Sequence, residues 1–80
     1  MTYKNYIITA GADRLNIKNT LTGAEKSVRV VIDSDFIYKV QKTQIKSMYT
    51  ASGLLEWFQS LIDDNFGTAY ISAICSAYVG

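Results

Sequence analysis
Few side chains in this chain can do covalent or proton-transfer chemistry. There is no histidine, and the single cysteine, Cys75, lies among Ala73, Ile74 and Ser76 with no base nearby in sequence to activate it. General acid–base and nucleophilic catalysis need a positioned proton acceptor close to neutrality, so an enzyme is not expected. Asp63 and Asp64 are adjacent at the junction of two helical segments, where carboxylates serve as caps and dipole partners. Asp33 and Asp35 flank Ser34 as turn residues do, so neither pair points to a metal. No glycine-rich loop leads from a strand into a helix, which removes the usual phosphate cradle. No cofactor is expected.

What remains is binding chemistry. The chain carries eight Lys and Arg against seven Asp and Glu, and every base precedes Ala51. Three acids and no base follow: Glu56, Asp63 and Asp64. Such a division separates two layers of a fold and places the cations on one of them.

The elements that position these charges follow from periodicity. The first half alternates with period two, as strands with one buried face do. In "YKNYIIT", Tyr3, Asn5, Ile7 and Thr9 face one way and Lys4, Tyr6 and Ile8 the other. "AGADR" marks a turn. "LNIKNT" then points Leu15 and Ile17 inward and Asn16, Lys18 and Thr20 outward, and "LTGAEK" supplies a hairpin loop at Gly23. "SVRVVID" alternates Val28, Val30 and Ile32 with Arg29 and Val31. After "DSD", "FIYKVQKTQ" alternates Phe36, Tyr38 and Val40 with Ile37, Lys39 and Gln41. Four strands with short connections predict an antiparallel meander.

Beyond Tyr49 the period becomes helical. Thr50 or Ser52 caps a helix whose inner stripe is Leu54, Phe58 and Leu61, flanked by Leu55 and Ile62. "DDNFG" separates it from a second helix, in which Phe66, Tyr70, Ile74 and Tyr78 recur every four residues and Ala69, Ala73 and Ala77 permit close packing. Trp57, beside the inner stripe, closes the edge of the core or anchors a partner. The expectation is one α+β domain over residues 1–80: a ββββαα meander with both helices on one face of the sheet. Eighty residues bury only a modest core.

Carried through each strand, this parity gives the open sheet face Lys4, Tyr6, Ile8, Asn16, Lys18, Thr20, Arg29, Val31, Lys39 and Gln41. An aromatic and aliphatic centre ringed by cations suits partner binding, since the centre supplies desolvation energy and the rim orients. The same face suits RNA or single-stranded DNA, with Tyr6 stacking on a base, although a net charge of +1 gives the counterion term little to work with. A homodimer through this face or an edge strand is a third possibility. An unpaired cysteine fits a reducing compartment. The early segment has no signal-peptide character, and the fifteen uncharged residues from Phe66 fall short of the roughly 20 needed to span a bilayer.

The segments "NYIITAGADRLNI", "VRV" and "LLEWF" carry a resemblance. The chain resembles the small type I-F anti-CRISPR proteins of phages built from a four-stranded antiparallel sheet and two helices. The matching positions are Tyr6, Thr9, Ala10, Asn16, Ile17, Gly23, Arg29 and Val30 without a gap. Around Glu56 and at Trp57, Phe58, Leu61 and Gly67 they match after one short insertion.

The resemblance implies a stoichiometric inhibitor working in the cytoplasm of an infected bacterium. It would bind the backbone subunits of the crRNA-guided surveillance (Cascade) complex and stop target DNA from hybridising with the guide. It also implies that strand residues make the contacts, among them a tyrosine matching Tyr6. Two further family contact positions, a tyrosine and a glutamate, fall on Thr20 and Val31 and are not retained. With Lys4, Lys18, Arg29 and Lys39 kept, the expected contact set is smaller and more basic than the family's. Residues 36–48, apolar and basic, also depart from it.

Overall fold
The computed structural model describes residues 1–30, 50–64 and 68–80. Within them run four strands, β1 (Thr2–Tyr3), β2 (Tyr6–Ala10), β3 (Arg14–Asn19) and β4 (Glu25–Arg29), and two helices, α1 (Ala51–Asp63) and α2 (Thr68–Val79). The strands form one antiparallel sheet in the order β1-β2-β3-β4. Helix α1 packs against β2 and β3, and α2 against β3 and β4, with the helices touching each other. The α+β meander expected from the sequence is present.

Its strands are not the same four. The segment expected as one strand over residues 3–9 is a hairpin, with Tyr3 paired to Tyr6 across a two-residue turn at Lys4 and Asn5. Lys4 has φ 50, a left-handed value that costs a non-glycine residue roughly 1–2 kcal/mol. Thr20 braces the turn, since both its amide (2.8 Å) and its hydroxyl (3.1 Å) donate to the Asn5 carbonyl. A two-residue turn puts its flanking residues on the same face. Tyr3 and Tyr6 therefore both look toward the helices, and the alternation in β2 is reversed from the one expected. The strand expected over residues 36–44 lies outside the described residues.

In β3 and β4 the expected alternation holds. Gly11 N–H donates to the Arg14 carbonyl at 2.8 Å to close the β2–β3 turn. The β3–β4 loop needs a left-handed residue, which Gly23 supplies at φ 77. Register then sets Ile8 opposite Ile17 and Leu15 opposite Val28. These four, with Val30, are almost wholly buried. Each such side chain contributes roughly 1.5–3 kcal/mol relative to exposure.

Helix α1 begins at Thr50, whose Oγ1 accepts from the Gly53 amide at 3.0 Å. Leu54, Phe58 and Leu61 form its buried stripe, as the spacing predicts. Trp57 packs against the core edge, its ring 5.4 Å from that of Phe58. Asp64 caps the C-terminal end of α1, and Asp63 accepts from Gln59 Nε2 at 3.0 Å.

Helix α2 departs from expectation. Its buried residues are Ile71, Ile74, Cys75 and Val79, whereas Tyr70 is 40% exposed and Ala69, Ala73 and Ala77 face outward. Phe66 lies outside the described residues. A four-residue repeat drifts around a helix of 3.6 residues per turn, so the i, i+3, i+4 set starting at Ile71 is the one that stays on the core.

One polar group is built into this core. Asn19 is 3% exposed. Its Oδ1 accepts from Asn5 Nδ2 and from the Leu21 amide, both at 3.0 Å, and its Nδ2 donates to the Val79 carbonyl at 3.1 Å. It joins the β1–β2 turn, the β3–β4 loop and the end of α2. On the same side, the Tyr3 hydroxyl meets Thr68 and Ser72, hydrogen bonds that lower its pKa from the usual tyrosine value.

Candidate partner-binding face
The face of the sheet away from the helices is built by register. Ile7 stands opposite Thr2 on one side and Lys18 on the other, and Lys18 stands opposite Glu25. The next row is Thr9, Asn16 and Ser27, and the last is Arg14 opposite Arg29. Ile7 is 37% exposed and is the one large apolar side chain of this face among the described residues. Lys18 and the arginines sit at opposite ends of the face, about 13 Å apart along the strand.

The charges are partly met. Asn16 Nδ2 donates to Glu25 Oε1 at 2.6 Å, which holds that carboxylate beside Lys18. At the other end, Asp13 lies 4.0 Å from Arg14 Nε and 3.7 Å from Arg29 Nε.

The residues expected to form a contact set separate in the structure. Lys18 and Arg29 lie on the open face, together with Asn16. Tyr6 and Ile8 do not: they are 8% and 0% exposed and belong to the core. The correction has one cause, the two-residue turn that inverts parity after Tyr3. Lys4 is exposed in that turn, its ammonium 5.4 Å from the centre of the Tyr3 ring. Thr20 is exposed but sits past the end of β3, bonded to Asn5. Val31, Lys39 and Gln41 lie outside the described residues. Ile7, Thr9, Arg14, Glu25 and Ser27 join the face in their place. Glu25 and Ser27 have the same parity as Arg29, so their membership is visible once β4 is extended back to Glu25.

Cys75 is fully buried on α2, and desolvation pushes its thiol up to about 11. It packs as a small apolar side chain. Among the described residues, no group of three or more Cys, Asp or Glu stands close enough to hold a metal ion, and no helix is long and apolar enough to cross a membrane. No family model matches the chain, and no curated protein or solved structure matches it significantly.

Proposed function
We propose that the chain is a phage anti-CRISPR protein that binds the backbone subunits of a type I surveillance complex through its open sheet face. By occupying that surface it blocks hybridisation of target DNA in the cytoplasm of the infected host. One observation carries the reading: both described helices cover one side of the sheet, and the other side presents an exposed Ile7 beside Lys18, with Arg14 and Arg29 at the far end of that face. An exposed apolar side chain with one cation beside it and two more across the face suits a protein partner with acidic residues around a small apolar depression. With Tyr6 in the core, Ile7 is the large apolar contact that the described face offers. Among the described residues this face carries no tyrosine on which single-stranded nucleic acid could stack, which favours a protein partner over RNA or single-stranded DNA.

The test is a pull-down of purified type I-F, I-C and I-E surveillance complexes, followed by a target-DNA gel shift. Capture of one complex with loss of its DNA shift is expected. The variant Ile7→Glu with Lys18→Glu should abolish capture while the protein stays folded. Failure to capture any complex rejects the target, and retention on free single-stranded nucleic acid with a steep salt dependence would replace it with a nucleic-acid-binding module.

A further inference from the structure
The two arginines of the chain meet at one place. Arg14 and Arg29 are directly opposed across β3 and β4, each about half exposed. Like charges facing each other across a ladder are destabilising, so such a pair needs a counter-charge. Asp13 supplies half of one. Its carboxylate approaches only the Nε atoms, at 4.0 and 3.7 Å, too far for a hydrogen bond. Each guanidinium carries five donors in a planar fork, and none of these has a hydrogen-bond acceptor among the described residues. The backbone beneath is held on both sides, by Gly11 N–H to the Arg14 carbonyl at 2.8 Å and by Val30 N–H to the Asp13 carbonyl at 3.0 Å.

We infer that Arg14 and Arg29 form a carboxylate receptor, taking an aspartate or glutamate side chain of a protein partner between their two forks. Two adjacent guanidiniums can each donate to one carboxylate, the strong charge-assisted geometry that arginine supplies and lysine does not. The layout of charge favours a discrete carboxylate over a phosphate backbone. Lys18, the remaining cation of the described face, is opposite Glu25. Among the described residues the cations therefore do not run as a track, and affinity for a polyanion grows with the number of phosphates neutralised. Arginine is also enriched where protein interfaces concentrate their binding energy.

This inference rests on the protein-partner reading but is tested without the surveillance complex. With only two arginines in the chain, selective ¹⁵N-arginine labelling gives one Nε–H signal from each. Hexaglutamate peptide is titrated into the full chain, with an oligothymidine strand and inorganic phosphate as separate arms. Both signals should shift together and saturate with hexaglutamate. Arg14→Gln or Arg29→Gln should weaken binding about tenfold, and Arg→Lys at either site by an intermediate factor.

Absence of a saturable shift overturns the receptor, as does unchanged peptide affinity in the double Gln variant. Tighter binding of oligothymidine or phosphate than of hexaglutamate also overturns it, in favour of a phosphate site. Peptide binding with no surveillance complex captured would leave the receptor standing and remove the proposed target. Capture that survives Arg14→Gln/Arg29→Gln would leave the target and remove the receptor from the interface.

Discussion

Replacing Asn19 by alanine tests the packing logic at its most connected polar residue. The substitution removes two hydrogen bonds accepted by Oδ1 and one donated by Nδ2. The partners differ in what they lose. Asn5 is only partly buried and can turn its amide to water, whereas the Val79 carbonyl belongs to a residue 5% exposed at the end of α2. Leaving a buried acceptor unmet costs roughly 1–3 kcal/mol, and each remaining bond contributes about 0.5–1.5 kcal/mol. The expected total is about 2–6 kcal/mol. A domain of this size loses roughly 4–8 °C per kcal/mol, so the midpoint should fall by at least about 8 °C.

Circular dichroism during heating and urea titration at neutral pH measures this directly. Asn19→Asp adds a second reading. Its carboxylate keeps the acceptor role toward Asn5 and Leu21 but turns an oxygen toward the Val79 carbonyl. Protonation restores a donor there, which raises the carboxyl pKa in the folded state. The stability lost relative to the native chain should then be smallest at acid pH and grow as pH rises. An Asn19→Ala variant within about 0.5 kcal/mol of the native chain, the usual effect of a surface change, would refute the claim that this side chain ties α2 to the sheet.

Two further expectations follow from burial. Tyr6→Ala should destabilise by about 3 kcal/mol or more, as truncation of a core aromatic does, while Ile7→Glu, one residue along, should cost less than about 1 kcal/mol; the opposite ranking in urea titrations would restore the parity that the Lys4–Asn5 turn overturns. Cys75, with its folded pKa near 11 against 9.0 for the free thiol, stabilises the fold fully below pH 9 and loses that contribution as pH climbs toward 11. The loss should reach up to about 3 kcal/mol, and urea titrations across this range should show a steeper decline for the native chain than for Cys75→Ala. Equal declines would mean that the thiol is hydrated.

Where local pattern and tertiary structure agree, the fold was legible. Leu15, Ile17 and Val28 alternate without interruption, and Leu54, Phe58 and Leu61 make a stripe behind a capping threonine, so β3, β4 and α1 follow from spacing alone. The β1–β2 turn hid itself. Hairpins of two residues announce themselves through Asn-Gly or Gly pairs, but Lys4–Asn5 places a lysine at positive φ, and the alternation in the sequence runs straight through it. Helix α2 was obscured by being apolar nearly all round, which leaves several stripes to choose among. The site suffered most. Side chains on an open face are set by parity, and one unseen turn exchanged Tyr6 for Ile7. The facing of Arg14 on Arg29 depends on the cross-strand register set by the β3–β4 loop, which no local period encodes.

The acids of the helical layer have a consequence for how the molecule meets other surfaces. Glu56, Asp63 and Asp64 are exposed on α1 or at its end, on the side of the sheet away from Arg14, Lys18 and Arg29. A protein with net charge +1 has little monopole attraction to offer, but charges of opposite sign on its two layers give it a transverse dipole. In the field of an acidic surface that dipole exerts a torque, turning the molecule sheet-first before contact. Orientation of this kind enlarges the fraction of collisions that are productive without demanding a strongly basic protein. It fades with ionic strength once the layers are separated by more than a screening length.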